Sequence, residues 1–230
     1  MTVLIDADIV AYKASFATEG KDVEDAADAV DVIVGGILED TQFEPDPDAA
    51  EFYLTGYGNF RYDIAVTAPY KGNRERSNKP QWLPEVRQYL QDSYNAKVID
   101  GEEADDAIAI RATAIGHMAT IASVDKDFLQ VNCWHYNINK RTLTYVTPYE
   151  AMFNFYQQIL TGDAADNIKG LKGIGPKKSY YILEGAVDEQ DMFERVLESY
   201  EGNIERIIEN GQLLWLRREE DQLWYPPGLG

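Results

Sequence analysis

Asp163 and Asp166 stand three residues apart in Gly162-Asp163-Ala164-Ala165-Asp166-Asn167. On one helical turn that spacing sends both carboxylates to the same side, a geometry for holding a cation. Just downstream, Gly173-Ile174-Gly175 turns the chain, and Pro176 suits the first position of a following helix. Two glycines around one apolar residue leave backbone N–H groups open to an anion, and a helix N-terminus points its positive end the same way. Lys177 and Lys178 add charge there. Gly-x-Gly alone reads as an ordinary turn with solvated lysines. The acid pair directly upstream shifts the reading toward a hairpin between helices that grips a nucleic-acid phosphate.

Other acids recur at the ends of apolar runs. Val3-Leu4-Ile5 is a short β-branched run that ends at Asp6, with Asp8 shortly after. It predicts a central parallel strand with a carboxylate at its C-terminal edge, where open α/β sheets bind ligands. Asp8 reads as a loop acid or helix N-cap. Glu51–Thr55 predicts a second strand and Ala96–Asp100 a third. Gly101-Glu102-Glu103-Ala104-Asp105-Asp106 then opens a helix. Capping by first-turn acids is the plain alternative there, but four acids in five residues exceed what capping needs. Thr120–Val124 predicts the fourth strand, ending in Asp125-Lys126-Asp127. Two acids at the end of a buried strand are costly unless something pairs with them.

Between residues 60 and 87 the character changes: Phe60-Arg61, Tyr70-Lys71-Gly72-Asn73-Arg74, then Arg76, Lys79, Trp82 and Arg87. Basic residues interleaved with aromatics suit a single-stranded or frayed nucleic-acid end, the charge tracking phosphates and the rings stacking on bases. A basic loop without a target is the plain alternative.

With these residues in view, the chain resembles the flap endonuclease and 5′–3′ exonuclease family, most closely its short bacteriophage members. The match to Gly-Asp-x-x-Asp-Asn-Ile-x-Gly-x-x-Gly-Ile-Gly-x-Lys is nearly unbroken, and the resemblance reaches to about residue 186. It implies that the stretch from 160 to 183 is a helix-three-turn-helix that supplies metal-site aspartates and binds duplex DNA through Gly173, Gly175, Lys177 and Lys178. A K⁺ ion at that motif belongs to the same expectation. Carried over by position, Asp6, Glu103, Asp105, Asp106, Asp125, Asp127, Asp163 and Asp166 become metal ligands, and Glu102 is left as surface. Lys71 and Arg74 become the pair at the base of a helical arch that contacts the scissile phosphate, with Arg61 and Tyr70 in support on the DNA side. The sequence departs from the family after the second strand, where Thr55-Gly56-Tyr57 stands in place of a ligand aspartate.

Parallel strands would gather these acids at one sheet edge. Two carboxylates ~6 Å apart repel by about 3 kcal/mol at an effective dielectric near 20, so eight together demand cations or protons. Oxygen-only ligands favour hard ions, which selects Mg²⁺, with Mn²⁺ able to substitute, and argues against zinc. Two ions roughly 4 Å apart would serve in-line phosphodiester hydrolysis.

Composition bounds the rest. A chain of 230 residues, 45% hydrophobic, can bury one sizeable core with a helical appendage. The lone Cys133 excludes a disulfide scaffold and a cysteine metal cluster. The apolar run at the N-terminus is too short for a signal peptide or membrane span, so a cytoplasmic protein is expected, in the host cytoplasm if the source is a phage. A net charge of −19 speaks against a nucleic-acid partner at first sight, but acids that line a metal site and clustered basic residues weaken that objection. His135 and His117 read as structural and surface residues.

The expected architecture is an α/β fold of the PIN-like 5′-nuclease type with a mainly parallel central sheet flanked by helices. Residues 1–150 form the nuclease core, including a basic arch or clamp at 61–95. Residues 151–230 form a helical DNA-binding subdomain whose acidic tail, 187–221, is helical. The expected activity is a Mg²⁺-dependent, structure-specific 5′ nuclease acting as a monomer on DNA with a 5′ end, flap or nick, with RNase H-type action on RNA–DNA hybrids as an extension. A PIN-type ribonuclease shares the acidic sheet edge but lacks the Gly173–Gly175 hairpin. A DNA-binding clamp with impaired catalysis is the reading that the missing acid near Thr55 would favour.

Overall fold

The computed structural model describes residues 1–41, 49–73 and 79–228. Arg74 and Arg76 of the basic stretch lie outside the described residues. Among those described, no helix is long and apolar enough to cross a membrane.

Val3, Leu4 and Ile5 are wholly buried. A run apolar on both sides needs cover on both sides, so β1 (Thr2–Asp6) lies in the middle of the sheet. It pairs in parallel with β2 (Ala50–Thr55) and with β4 (Ala119–Ser123). β3 (Lys97–Ile99) adds in parallel outside β2, and β5 (Trp134–Asn137) outside β4. An edge hairpin is completed by β6 (Thr142–Tyr145), antiparallel to β5, giving the order β3-β2-β1-β4-β5-β6.

Side chains alternate across a strand, so β1 feeds two cores. Val3 and Ile5 pack with α1 (Ala7–Ala17), α2 (Val23–Thr41) and α4 (Leu83–Tyr94), through Val10, Val30, Val34, Ile37, Val86 and Leu90. Leu4 points the other way and packs with Ile108, Ala109 and Ala112 of α5 (Ala104–Ile115) and with Phe128. A short helix, α3 (Arg61–Ile64), follows β2.

The remaining helices form a third cluster. α6 (Pro148–Thr161) starts on a capping box in which Thr147 and Glu150 satisfy each other's backbone N–H groups, with Pro148 at the first turn. It is followed by a two-strand hairpin, β7 (Gly162–Asp163) and β8 (Ile168–Lys169), then α7 (Pro176–Leu183), α8 (Glu189–Ser199) and α9 (Ile204–Leu214). Phe155, Tyr156, Leu183, Met192, Val196, Ile207 and Trp224 fill its interior.

Two local expectations are corrected. Asp163 and Asp166 do not share a helical turn: Asp163 ends a strand and Asp166 lies in the turn that leads to β8. The tail is not helical to residue 221. Helix α9 stops at Leu214, and the following segment runs back to the sheet, where Leu216 joins the Leu4 core. Tyr70 crosses in the opposite sense, into the helical cluster. The cores therefore interlock across residue 150.

Candidate active site

The C-terminal ends of β1 and β4, the start of α5 and the β7–β8 turn surround one recess of about 260 Å³. It is lined by Asp6, Glu103, Asp105, Asp125, Asp127, Asp163 and Asp166, with Lys71, Lys126 and Tyr70 among them. Acids up to 160 positions apart in the chain, from Asp6 to Asp166, meet there because parallel strands present all their C-terminal ends on one side.

Each acid has a local reason for its place. Asp6 caps α1 by accepting from the Ile9 N–H at 3.2 Å, and its other oxygen accepts from the Ser123 hydroxyl at 2.7 Å. Asp125 caps the 3₁₀ turn Lys126–Gln130 by accepting from the Asp127 N–H. Glu103 is the N-cap of α5. Asp163 accepts from the Ala165 N–H at 2.6 Å, which shapes the turn. Its hairpin needs glycine on both sides: a Cβ on Gly162 would fall 2.3 Å from the Gly170 nitrogen, and one on Gly170 would fall 2.1 Å from the Thr161 carbonyl carbon.

The charges form two overlapping groups. Burial, then Asp6, Glu103 and Asp125, push Asp105 well above the ordinary carboxylate range. Burial, then Asp125 and Asp163, push Asp127 up to about 7. Asp6 also rises to about 7, mainly through burial and against the pull of the Ser123 hydroxyl. Asp125 acts on both groups. Burial would raise Glu103 and Asp163 too, but Lys71 and Arg61 beside the first, and Lys126 with two backbone N–H groups beside the second, hold both below their usual range.

Lys71 is brought in by docking of its loop onto the acidic turn. Its backbone N–H donates to the Asp166 carbonyl at 2.8 Å, Asn167 Nδ2 donates to the Pro69 carbonyl, and Asn73 Nδ2 donates to the Ala164 carbonyl. Lys71 itself sits in the left-handed region at φ 54°, a conformation that costs a non-glycine residue about 1 kcal/mol or more. Its ammonium pairs with Glu103 and lies 3.8 Å from Asp166. The Tyr70 hydroxyl lies 2.8 Å from Glu103 Oε2 and 2.9 Å from Asp166 Oδ2.

Four expectations about single residues change. Arg61 does not reach outward to DNA: it is 1% exposed, bound bidentately to Asp106 and to the carbonyls of Leu213 and Trp215. Asp106, expected as a ligand, is wholly buried, spends both oxygens on Arg61, and stands outside the recess. Tyr70 is buried with its hydroxyl toward the acids, so it orients them and presents no face to DNA. Glu102 is no free surface acid, because Arg217 pairs with it at 2.9 Å while stacking over Phe60.

The strand end that lacks an acid is reached by one from elsewhere. Asp6, not Asp8, caps α1, while the Asp8 carboxylate lies in the recess, accepts from the Thr55 N–H at 2.8 Å and pairs with Arg87 of α4. No sequence signal could link Asp8 to Arg87 across that separation.

On the helical side, Gly173, Gly175, Lys177 and Lys178 are all exposed. Gly173 turns the chain at φ 80°, Gly175 caps α7 and Pro176 occupies its first turn, which leaves this end of the helix open to solvent. His135 and Cys133 lie away from the recess, the His135 ring nitrogen 2.8 Å from the Val131 carbonyl.

The recess offers oxygen donors only, with more negative charge than its lysines cancel, so its composition fits hard divalent cations. Among the described residues, however, no three of these side chains converge closely enough to form a preformed cage.

No family model matches the chain. Over 128 residues it is 37% identical to Flap endonuclease Xni of Aeromonas hydrophila, 47% of each chain. Over 206 residues it is 32% identical to DNA polymerase I of Bacillus caldotenax, 79% of this chain and 23% of the polymerase. The fold is that of the flap endonuclease of bacteriophage T5, solved as a pseudo-enzyme–product complex with DNA and metal ions, with a TM-score of 0.67 at 18% identity over 93% of this chain and 88% of that one. The chain resembles the flap endonuclease and 5′–3′ exonuclease family. The matched stretch is about half the length of the Aeromonas flap endonuclease and about a quarter of the polymerase.

Proposed function

We propose that this protein is a divalent-metal-dependent, structure-specific 5′ nuclease that hydrolyses DNA phosphodiesters near 5′ ends, as flap endonuclease and 5′–3′ exonuclease. One observation carries the reading: the acids of distant segments surround a single recess, with Lys71 inside it and an open glycine–lysine hairpin on the adjoining helices.

Asp6, Glu103, Asp105 and Asp125 on one side, and Asp125, Asp127, Asp163 and Asp166 on the other, would hold two ions, Mg²⁺ or Mn²⁺. When bound, such ions supply an activated water and charge stabilisation at the leaving oxygen. Lys71 would neutralise charge that develops on the phosphoryl oxygens, and Arg74 would join it by its position in the sequence. Asp106 and Arg61 hold the start of α5, and so Glu103 and Asp105, in place. Gly173, Gly175, Lys177 and Lys178 would take a duplex phosphate, away from the cut bond. The K⁺ ion expected at that hairpin, action on RNA–DNA hybrids and the monomeric state rest on the resemblance alone.

The Gly173–Gly175 hairpin between α6 and α7 favours this reading over a PIN-type ribonuclease. A clamp with impaired catalysis is favoured by Thr55 at the end of β2, although Asp8 brings a carboxylate to that position. A 5′-labelled flap, a nicked duplex and an RNA–DNA hybrid, each incubated with Mg²⁺, Mn²⁺ or EDTA, decide among them. Cleavage of the flap or nicked duplex only with a divalent ion is expected, and no cleavage of any substrate in Mg²⁺ or Mn²⁺ would sink the enzyme reading.

A further inference from the structure

Lys126 lies between Asp125 and Asp127, yet its side chain turns to neither. Its ammonium sits 2.9 Å from Asp163 Oδ2, with Asp127 and Asp125 next nearest in effect. The two partners differ in burial: the Asp163 side chain is 5% exposed and that of Lys126 is 65% exposed. Asp163 is fixed from behind by the N–H groups of Ala165 and Asp166. Lys126 is a long side chain with solvent beside it, so leaving Asp163 costs it little.

Lys71, the other lysine of the recess, is held quite differently. Its side chain is 13% exposed, pairs with Glu103, and its own backbone is bonded to the Asp166 carbonyl. One lysine of the site is thus anchored and the other is a removable cap on a buried carboxylate. Asp127, the next acid on this side of the recess, accepts from Gln158 Nε2 at 2.5 Å and adds a like charge near Asp163.

We propose that Lys126 is an internal counter-cation that occupies the place of a divalent ion at Asp163 and Asp127, is displaced when that ion binds, and so sets the affinity of this position but not of the one formed by Asp6, Glu103 and Asp105. The inference rests on the metal-dependent reading above. At Asp163 an ammonium holds the oxygen that an ion would take. Lys126 is thereby a positioning residue, with no contact to substrate required of it.

The test is Mn²⁺ binding to the free protein without DNA, followed by electron paramagnetic resonance titration and by the rise in melting temperature that Mg²⁺ produces. Lys126→Ala should tighten the weaker Mn²⁺ site by about three- to tenfold, as expected for removing one competing exposed charge. The stronger or unaffected site should not move. The metal-free variant should melt lower than wild type and gain more on adding Mg²⁺. Lys126→Arg, which keeps the charge, should behave as wild type in Mn²⁺ binding, and circular dichroism confirms the folding of both variants. In an Asp163→Asn background, Lys126→Ala should change nothing. Two bound ions with the same affinities in wild type and Lys126→Ala would overturn the inference alone. No bound divalent ion in wild type would overturn it together with the metal-dependent reading.

Discussion

Arg61 donates from both terminal nitrogens to the two oxygens of Asp106, at 2.6 and 2.8 Å, where neither side chain is more than 2% exposed. The same guanidinium donates to the carbonyls of Leu213 and Trp215, so it joins the first turn of α5 to the end of α9. Asp106 completes the capping box with Glu103, which lines the recess. The C-terminal segment thereby sets the position of a candidate metal ligand far away in sequence.

Breaking that pair should therefore be a stability event. Arg61→Ala leaves Asp106 charged, buried and unpaired, and the expected cost is about 3–5 kcal/mol of unfolding free energy. Urea denaturation measures it. A change below about 0.5 kcal/mol would return Arg61 to the DNA-contacting role that its place in the basic stretch suggests.

Acidity should affect the metal-free protein in an unusual direction. Asp6 and Asp127 rise from 3.8 to about 7 on folding, chiefly through burial. Each then binds its proton more tightly in the folded than in the unfolded state, so the native state carries the excess protons between about pH 4 and 7. Stability in EDTA should fall as pH rises through that window, whereas Asp40 and Glu51, lowered to about 2, act only below it. Urea midpoints at pH 5, 6, 7 and 8, with EDTA and with Mg²⁺, check this. The fall should be present in EDTA and reduced by Mg²⁺; a midpoint that climbs from pH 5 to 8 in EDTA would contradict it.

Removing single carboxylates separates chemistry from binding. Asp125→Asn and Asp163→Asn should each abolish cleavage while leaving DNA affinity equal or slightly higher, since each removes a negative charge near phosphates. Electrophoretic mobility shifts and a flap-cleavage assay give the two readouts. Turnover near wild type in either variant would remove that residue from the ligand set. Asp106→Asn should differ from both, with its loss appearing in stability.

The two basic regions should divide affinity from rate. Lys177 and Lys178 stand exposed beside the glycine hairpin, so replacing both with Ala should weaken duplex binding and flatten its salt dependence by up to about two phosphate contacts' worth of slope. Cleavage at saturating DNA should change little, because uniform binding is what was lost. Lys71→Ala should leave affinity near normal and slow cleavage by about 10²–10³-fold, the usual cost of one charge-stabilising group. Single-turnover rates at saturating DNA and affinities at several salt concentrations distinguish these outcomes. An affinity loss in proportion to the rate loss would make Lys71 a binding residue only.

The sequence by itself determined the parts whose logic is local. Val3-Leu4-Ile5 had to be a buried central strand because it is apolar on both sides, and its end had to carry Asp6 to the ligand-binding edge. Gly175 with Pro176 marked a helix start through the fixed φ of proline at the first turn. Tertiary structure alone decided which acids share the recess. Asp105 and Asp106 are neighbours in sequence, but successive helical residues point about 100° apart, so one faces the cavity and the other faces Arg61. Asp163 and Asp166 meet across a strand end and a turn, because glycines at 162 and 170 let two backbones approach more closely than any Cβ permits. The pairings of Asp8 with Arg87, Arg61 with Asp106 and Lys126 with Asp163 join segments far apart in the chain. Charge attracts any opposite charge, so residue type names no partner; only the packing of sheet against helix selects which cation each carboxylate meets.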